Sequence, residues 1–167
     1  MTRLALLLAL AGLALLPASA AATPGVCKAA TIQQALIDAG KLTEEDVGFG
    51  VVVDVVRCGD ITADGDSDGL FTLASGGTAG DTRFGVFRGG AAGKPGALVL
   101  WRPGYKIGVA RRNRRSFDVL QPHYKANDAN CCPSSFRQRR FTWAGDHFKR
   151  AKKAKRLKNA PKRFYKP

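Results

Sequence analysis

Apolar residues recur along this chain with two different periods, and the change from one to the other falls just after Asp46. Ile32, Ala35, Leu36 and Ala39 lie on one face at 3.6-residue spacing, which predicts a helix over 30–39. Thr31 is the expected N-cap and Gly40 the expected residue just past the end. Thr43-Glu44-Glu45-Asp46 opens a second short turn. Beyond it the pattern alternates. Phe49, Val51, Val53 and Val55 share one face of a strand, and Val52 and Val56 fill the other, so this strand is expected at the centre of a sheet. Further strand-like runs follow at 70–74, 83–88, 97–102, 106–111, 116–121 and 136–143, with a short one at 146–148. Pro103-Gly104, Asn113 and Ala144-Gly145 supply turns between them, and Gly89 to Gly96 a flexible loop. The expected fold is α+β: one N-terminal helix with a mainly antiparallel sheet of about seven strands.

The two ends depart from this pattern. Arg3, the unbroken Leu/Ala/Gly run from Leu4 to Leu16, Pro17 and Ala18-Ser19-Ala20 have the layout of an export signal, read here as residues 1–22. The run is shorter than the roughly 20 residues of a membrane-spanning helix, so no transmembrane span is expected. From Lys149 to Pro167 the chain holds ten Lys or Arg and no acid, and residues 149–167 are expected to form a disordered basic tail. Residues 23–148 are left as one secreted domain. The chain carries 27 basic and 13 acidic residues, a net charge of +14. Arg3 lies in the leader and ten of the cations in the tail, so residues 23–148 keep 16 basic against 13 acidic residues. The excess charge is concentrated in the tail.

Export makes Cys27, Cys58, Cys131 and Cys132 disulfide partners. Four cysteines allow three connectivities. Loop-closure entropy favours sending Cys131 and Cys132 to Cys27 and Cys58, since an adjacent pair closes almost no loop. Zinc is disfavoured because neither His123 nor His147 lies at finger spacing. Pro24-Gly25-Val26 before Cys27 is not the small-residue box of a lipidated cysteine.

Two stretches have motif character. In Asp60-Ile61-Thr62-Ala63-Asp64-Gly65-Asp66-Ser67-Asp68, acidic oxygens recur every fourth residue around a glycine that permits a tight turn. Calcium takes six to eight oxygen ligands, and this spacing suits a looped site. Asp60, Asp64 and Asp68 are the candidate side-chain ligands, Thr62 a weaker one, and Asp66 a candidate through its carbonyl. Phe71 stands where an EF-hand needs Glu, and strands rather than helices flank the loop. The loop resembles the calcium loops of FG-GAP or VCBS repeats, with Thr62 standing where those carry Asp or Asn. The competing reading is an acidic hairpin turn with no metal.

The second stretch is Asp128-Ala129-Asn130-Cys131-Cys132-Pro133-Ser134, followed by the Arg139, Phe141, Trp143 alternation and Ala144-Gly145-Asp146. This block resembles small exported actinobacterial proteins, including the LppP/LprE lipoprotein family. The resemblance implies an exported domain and no reaction. Its physical role is read as a disulfide-anchored turn into a core hairpin.

The basic residues suggest an anion-binding face. Arg111, Arg112, Arg114 and Arg115 cluster in one expected turn, with Arg102, Lys106, Arg137, Arg139 and Arg140 as extensions. The tail adds Lys149, Arg150, Lys152, Lys153, Lys155, Arg156, Lys158, Lys162, Arg163 and Lys166. Anionic wall polymer or an anionic membrane surface suits an exported chain; nucleic acid is not an expected partner, because no nucleic-acid-binding motif occurs. Catalytic signals are weak: there is no Gly-x-Ser-x-Gly elbow, and Ser75-Gly76-Gly77-Thr78 lacks a phosphate-loop lysine. The expectation is a secreted or envelope-associated, non-catalytic binding protein, the alternative being a calcium-dependent module in which the tail is incidental.

Overall fold

The computed structural model describes residues 23–165; the leader read at 1–22 and the candidate Lys166 lie outside them. The chain opens with a 3-10 turn, Gly25–Cys27, and helix α1, Ala29–Asp38. The helix starts from Lys28 with no side-chain cap, so the expected cap at Thr31 lies inside its first turn; Gly40 follows its end in the left-handed conformation (φ +61°). Helix α2, Glu44–Gly48, is held by a complete capping box between Thr43 and Asp46.

Among the described residues nine strands follow where about seven were expected, and they form two sheets rather than one. In the first sheet β1 (Val51–Gly59), β2 (Asp68–Ser75), β3 (Asp81–Gly89) and β4 (Pro95–Pro103) run in chain order, each antiparallel to the next. The second holds β5 (Gly108–Asn113), β6 (Ser116–His123), β7 (Ser135–Trp143) and β8 (Phe148–Arg150) in the same way. A last strand, β9 (Lys155–Leu157), also pairs with β7.

Packing explains the one misplaced strand. β1 lies at a sheet edge, although its apolar residues occupy both faces. Both faces of the first sheet are covered: α1 lies on one and the second sheet on the other. On the helix side Val53, Phe71, Leu73 and Phe87 pack under Val26, Ile32, Leu36 and Leu42. On the opposite side Val55, Leu70, Phe84, Val86 and Leu100 meet Val109, Phe117, Val119, Phe141, Trp143 and Phe148. A break in the β1 register between Val53 and Val56 redirects the alternation between these two cores.

The C-terminal segment, expected to be disordered, forms a fourth layer. Phe164, within a 3-10 turn at Lys162–Phe164, is fully buried on the outer face of the second sheet with Ala110 and Leu120; Phe136, Leu157 and Ala160 pack around them. Gly108 is required there, since a Cβ would stand 2.7 Å from that of Phe164. Arg57 Nη2 donates to the Arg163 carbonyl at 3.1 Å, and the Tyr165 hydroxyl donates to the Lys106 carbonyl at 3.2 Å. Like charge opposes order in the isolated segment, but burial of Leu157 and Phe164 and the pairing with β7 outweigh it.

The disulfides also differ from the favoured pairing. Cys27 joins Cys58, with Cα atoms 5.2 Å apart, and Cys131 joins Cys132. Docking of the first 3-10 turn against β1 places Cys27 beside Cys58, which leaves the adjacent pair to each other. The first bond spans 31 residues and contributes about 3–4 kcal/mol in the chain-entropy model. The second closes no loop and only stiffens the turn into β7. Among the described residues no helix is long and apolar enough to cross a membrane.

Candidate functional site: an acidic loop and a basic face

Residues 60–67 turn between β1 and β2, with Gly65 at φ +98° in the left-handed region that its lack of a Cβ permits. The loop hangs from Asp68, which is fully buried. Its Oδ2 accepts from the backbone N–H of Ile61 (2.6 Å) and Thr62 (2.7 Å); its Oδ1 accepts from Gly89 N–H (3.0 Å) and the Thr62 hydroxyl (3.3 Å). One carboxylate oxygen from each of Asp60, Asp64 and Asp68 lies within 4.8 Å of the others.

The three Asp side chains converge; Thr62 is buried with its hydroxyl on Asp68 Oδ1, and Asp66 is exposed with its N–H on Asp64 Oδ1. Two of them already have cations. Arg114 Nη2 stands 2.6 Å from Asp60 Oδ2, and Arg88 donates to Asp64 Oδ2. Desolvation pushes both carboxyls up. The hydrogen bonds and charges of these arginines, with loop N–H groups, outweigh it and hold both below the ordinary carboxylate range. Asp60 Oδ1 is buried and accepts no hydrogen bond from the described residues.

The arginine cluster at 111–115 is divided rather than gathered into one face. Arg114 serves Asp60, and Arg111 Nη1 donates to the Cys58 carbonyl at 3.3 Å. Arg112 turns to Asp118, which the alternation of β6 places on the outer face, 2 % exposed by side chain. Arg140 Nε (3.3 Å), Arg112 Nη1 (3.6 Å) and Arg163 Nη2 (3.7 Å) surround that carboxyl. A buried acid needs such counter-charge, so Arg163 helps hold the C-terminal layer to β6. Arg115 remains exposed beside them.

The cations of the C-terminal segment lie along the edge beside β7. β8 and β9 pair with successive parts of β7, and Arg139 Nη1 holds the bulge between them through the carbonyls of Ala151 (3.1 Å) and Lys152 (2.9 Å). Lys149, Arg150, Lys152, Lys153, Lys155, Arg156, Lys158 and Lys162 are all exposed along or beside this edge. At its start the two sheets part in a cleft of about 370 Å³. Its floor is Phe84, Val119, Phe141 and Phe148; Arg102, Arg139 and Arg150 line it with Gln121, and no carboxylate does.

Arg139 shares a strand face with Phe141 and Trp143. A cation on the apolar side of a strand is the sequence signal for a cleft at that end of the core. What could not be read is that Arg102, from the other sheet, meets it there. Neither histidine builds a site. His147 bonds Asp146 in an exposed turn, and His123 lies 3.3 Å from Arg137. No family model matches the chain, and no curated protein or solved structure matches it.

Proposed function

We propose that this chain is an exported, non-catalytic binding protein that attaches to an anionic wall polymer or membrane surface through the basic edge and its cleft. The observation that carries the reading is the cleft: three arginines line it over an apolar floor, and no carboxylate does. Like charges brought together this way favour an oxyanion, which guanidinium binds in bidentate fashion. The cations from Lys149 to Lys158 extend the same positive field along the edge. The leader-like residues 1–22, the disulfides, and the likeness of the Asp128 to Ser134 block to exported proteins support the compartment.

The chain should be retained on heparin–agarose above physiological ionic strength and elute steeply with salt. Arg102→Gln with Arg150→Gln, and separately Lys152→Glu with Lys153→Glu, should each weaken binding about tenfold while leaving the fold intact, since all four residues are exposed. Retention that both variants leave unchanged would remove the reading.

A second reading has its own observation, the Asp60–Asp64–Asp68 convergence with its orphaned Asp60 oxygen. In it calcium replaces Arg88 and Arg114 as the counter-charge and stabilises the loop. Calcium at millimolar concentration then raises the melting temperature reversibly with chelator, and Asp64→Asn abolishes the rise. Calorimetry with neither heat nor thermal shift would exclude a calcium site.

A further inference from the structure

A second cavity, of about 390 Å³, is lined by residues of β1, β3, β6, β7 and the C-terminal segment. That volume is within the range of about 300–1,000 Å³ usual for small-molecule sites. Its walls are apolar and aromatic: Val55, Ile107, Pro122, Phe136, Tyr124 and Tyr165. The Cys131 end of the stiff adjacent disulfide closes one side. Two carboxyl groups line it, Asp54 from β1 and Asp81 from the start of β3.

Asp81 is 9 % exposed. Burial, with the neighbouring Asp54, pushes its carboxyl up to about 6 against the opposing hydrogen bond from Thr72. Neither Asp54 nor Asp81 forms a salt bridge among the described residues, in a chain with 27 Lys and Arg. Lys106 also lines the cavity, but its Nζ is committed elsewhere, donating to the Asn130 carbonyl at 2.6 Å and to its side-chain oxygen at 3.2 Å. Tyr124 and Tyr165 direct their hydroxyls to the carbonyls of Asn130 (2.8 Å) and Lys106 (3.2 Å), which fixes both rings as walls.

We propose that this cavity binds an organic ammonium ion with an apolar body, its cation placed against Asp81 and Asp54 and its body against the Tyr124 and Tyr165 rings. A neutral polar ligand would satisfy hydrogen bonds there, but only a cation also relieves two facing acids that lack a counter-charge, and aromatic rings add attraction for the same charge. The site is separate from the basic edge, and its failure leaves the anion reading untouched. The groups facing Asp81 are Asp54, Thr72, Lys106, Tyr124 and Tyr165.

The pH dependence follows from the raised carboxyl. The bound cation favours ionised Asp81, so affinity rises with pH through about 6 and is lost below it, and binding above the ordinary carboxylate range but below 6 releases a proton. Titration calorimetry of the full chain with benzylammonium chloride at about pH 7.5 should saturate. At about pH 5, where roughly a tenth of such a group is ionised, affinity should fall about tenfold. Benzyl alcohol, the neutral isostere, should bind at least about tenfold more weakly than benzylammonium at the higher pH.

Asp81→Asn should remove both the binding and its pH dependence with near-ultraviolet circular dichroism unchanged. Should that variant misfold, Asp54→Asn, at an exposed position, should still weaken the amine selectively. Equal affinity for amine and alcohol, affinity indifferent to pH, or no saturation at millimolar ligand overturns the proposal.

Discussion

Phe164→Ala is expected to destabilise the fold by about 3–5 kcal/mol, the usual cost of emptying a buried aromatic site. The residue lies three places from the end of the sequence in a basic segment, where its composition would class it as dispensable. The structure buries it completely against Ala110 and Leu120, with Gly108 opened to receive it. Urea titration should show a lower midpoint with an unchanged slope. A loss below about 1 kcal/mol would mean that the C-terminal layer is peripheral.

The same packing predicts that truncation after Phe148 removes β9 and Phe164 together, exposes the outer face of the second sheet, and leaves Asp118 without Arg163. Such a truncation tests folding as well as binding. Charge substitutions that keep Leu157 and Phe164 are therefore the proper probe of the basic edge.

Asp68→Ala should be the most damaging change in the acidic loop, by about 3 kcal/mol or more, because it leaves buried donors without an acceptor. Three backbone N–H groups, of Ile61, Thr62 and Gly89, converge on that carboxyl, and it is fully buried. Asp64→Ala removes the partner of Arg88 and the acceptor of the Asp66 N–H, both at an exposed position, and surface pairs of this kind are worth about 1 kcal/mol or less. The expected contrast is a large loss of melting temperature for Asp68→Ala and a small one for Asp64→Ala, in the absence of calcium. Equal losses would mean that the loop is held by its arginines rather than by Asp68. The contrast also bears on the calcium reading: Asp68 has a structural role whether or not metal binds, so only Asp60 and Asp64 report on a metal cleanly.

Alternation of side chains is a local property, and most strands were legible from it, although the runs at 106–111 and 146–148 each start two residues before β5 and β8. The runs at 70–74, 83–88, 97–102, 116–121 and 136–143 all fall inside strands of the structure. The helix over 30–39 and its closing Gly40 were legible for the same reason, since spacing and turn conformation depend on near neighbours. The expected metal loop was legible as a loop. What spacing alone did not show is that Asp68 is buried as the loop's internal acceptor, with the Thr62 hydroxyl on it, while Asp60 and Asp64 stand nearer the surface.

By itself, then, the sequence determined the order and type of most elements, the antiparallel pairing, the tight turn at Gly65 and the separation of charge between body and C-terminal segment. Tertiary structure decided how many sheets form, which cysteine meets which, and which arginines are engaged inside the fold. It also decided that the basic segment is ordered. These outcomes depend on contacts between residues far apart in the chain. Cys27 reaches Cys58 only once α1 has docked on the first sheet, Arg102 reaches Arg139 only across two sheets, and Asp118 attracts Arg163 only because Phe164 has a pocket to fill. Local periodicity sets which face of an element is apolar; burial energy summed over the whole molecule selects which faces meet.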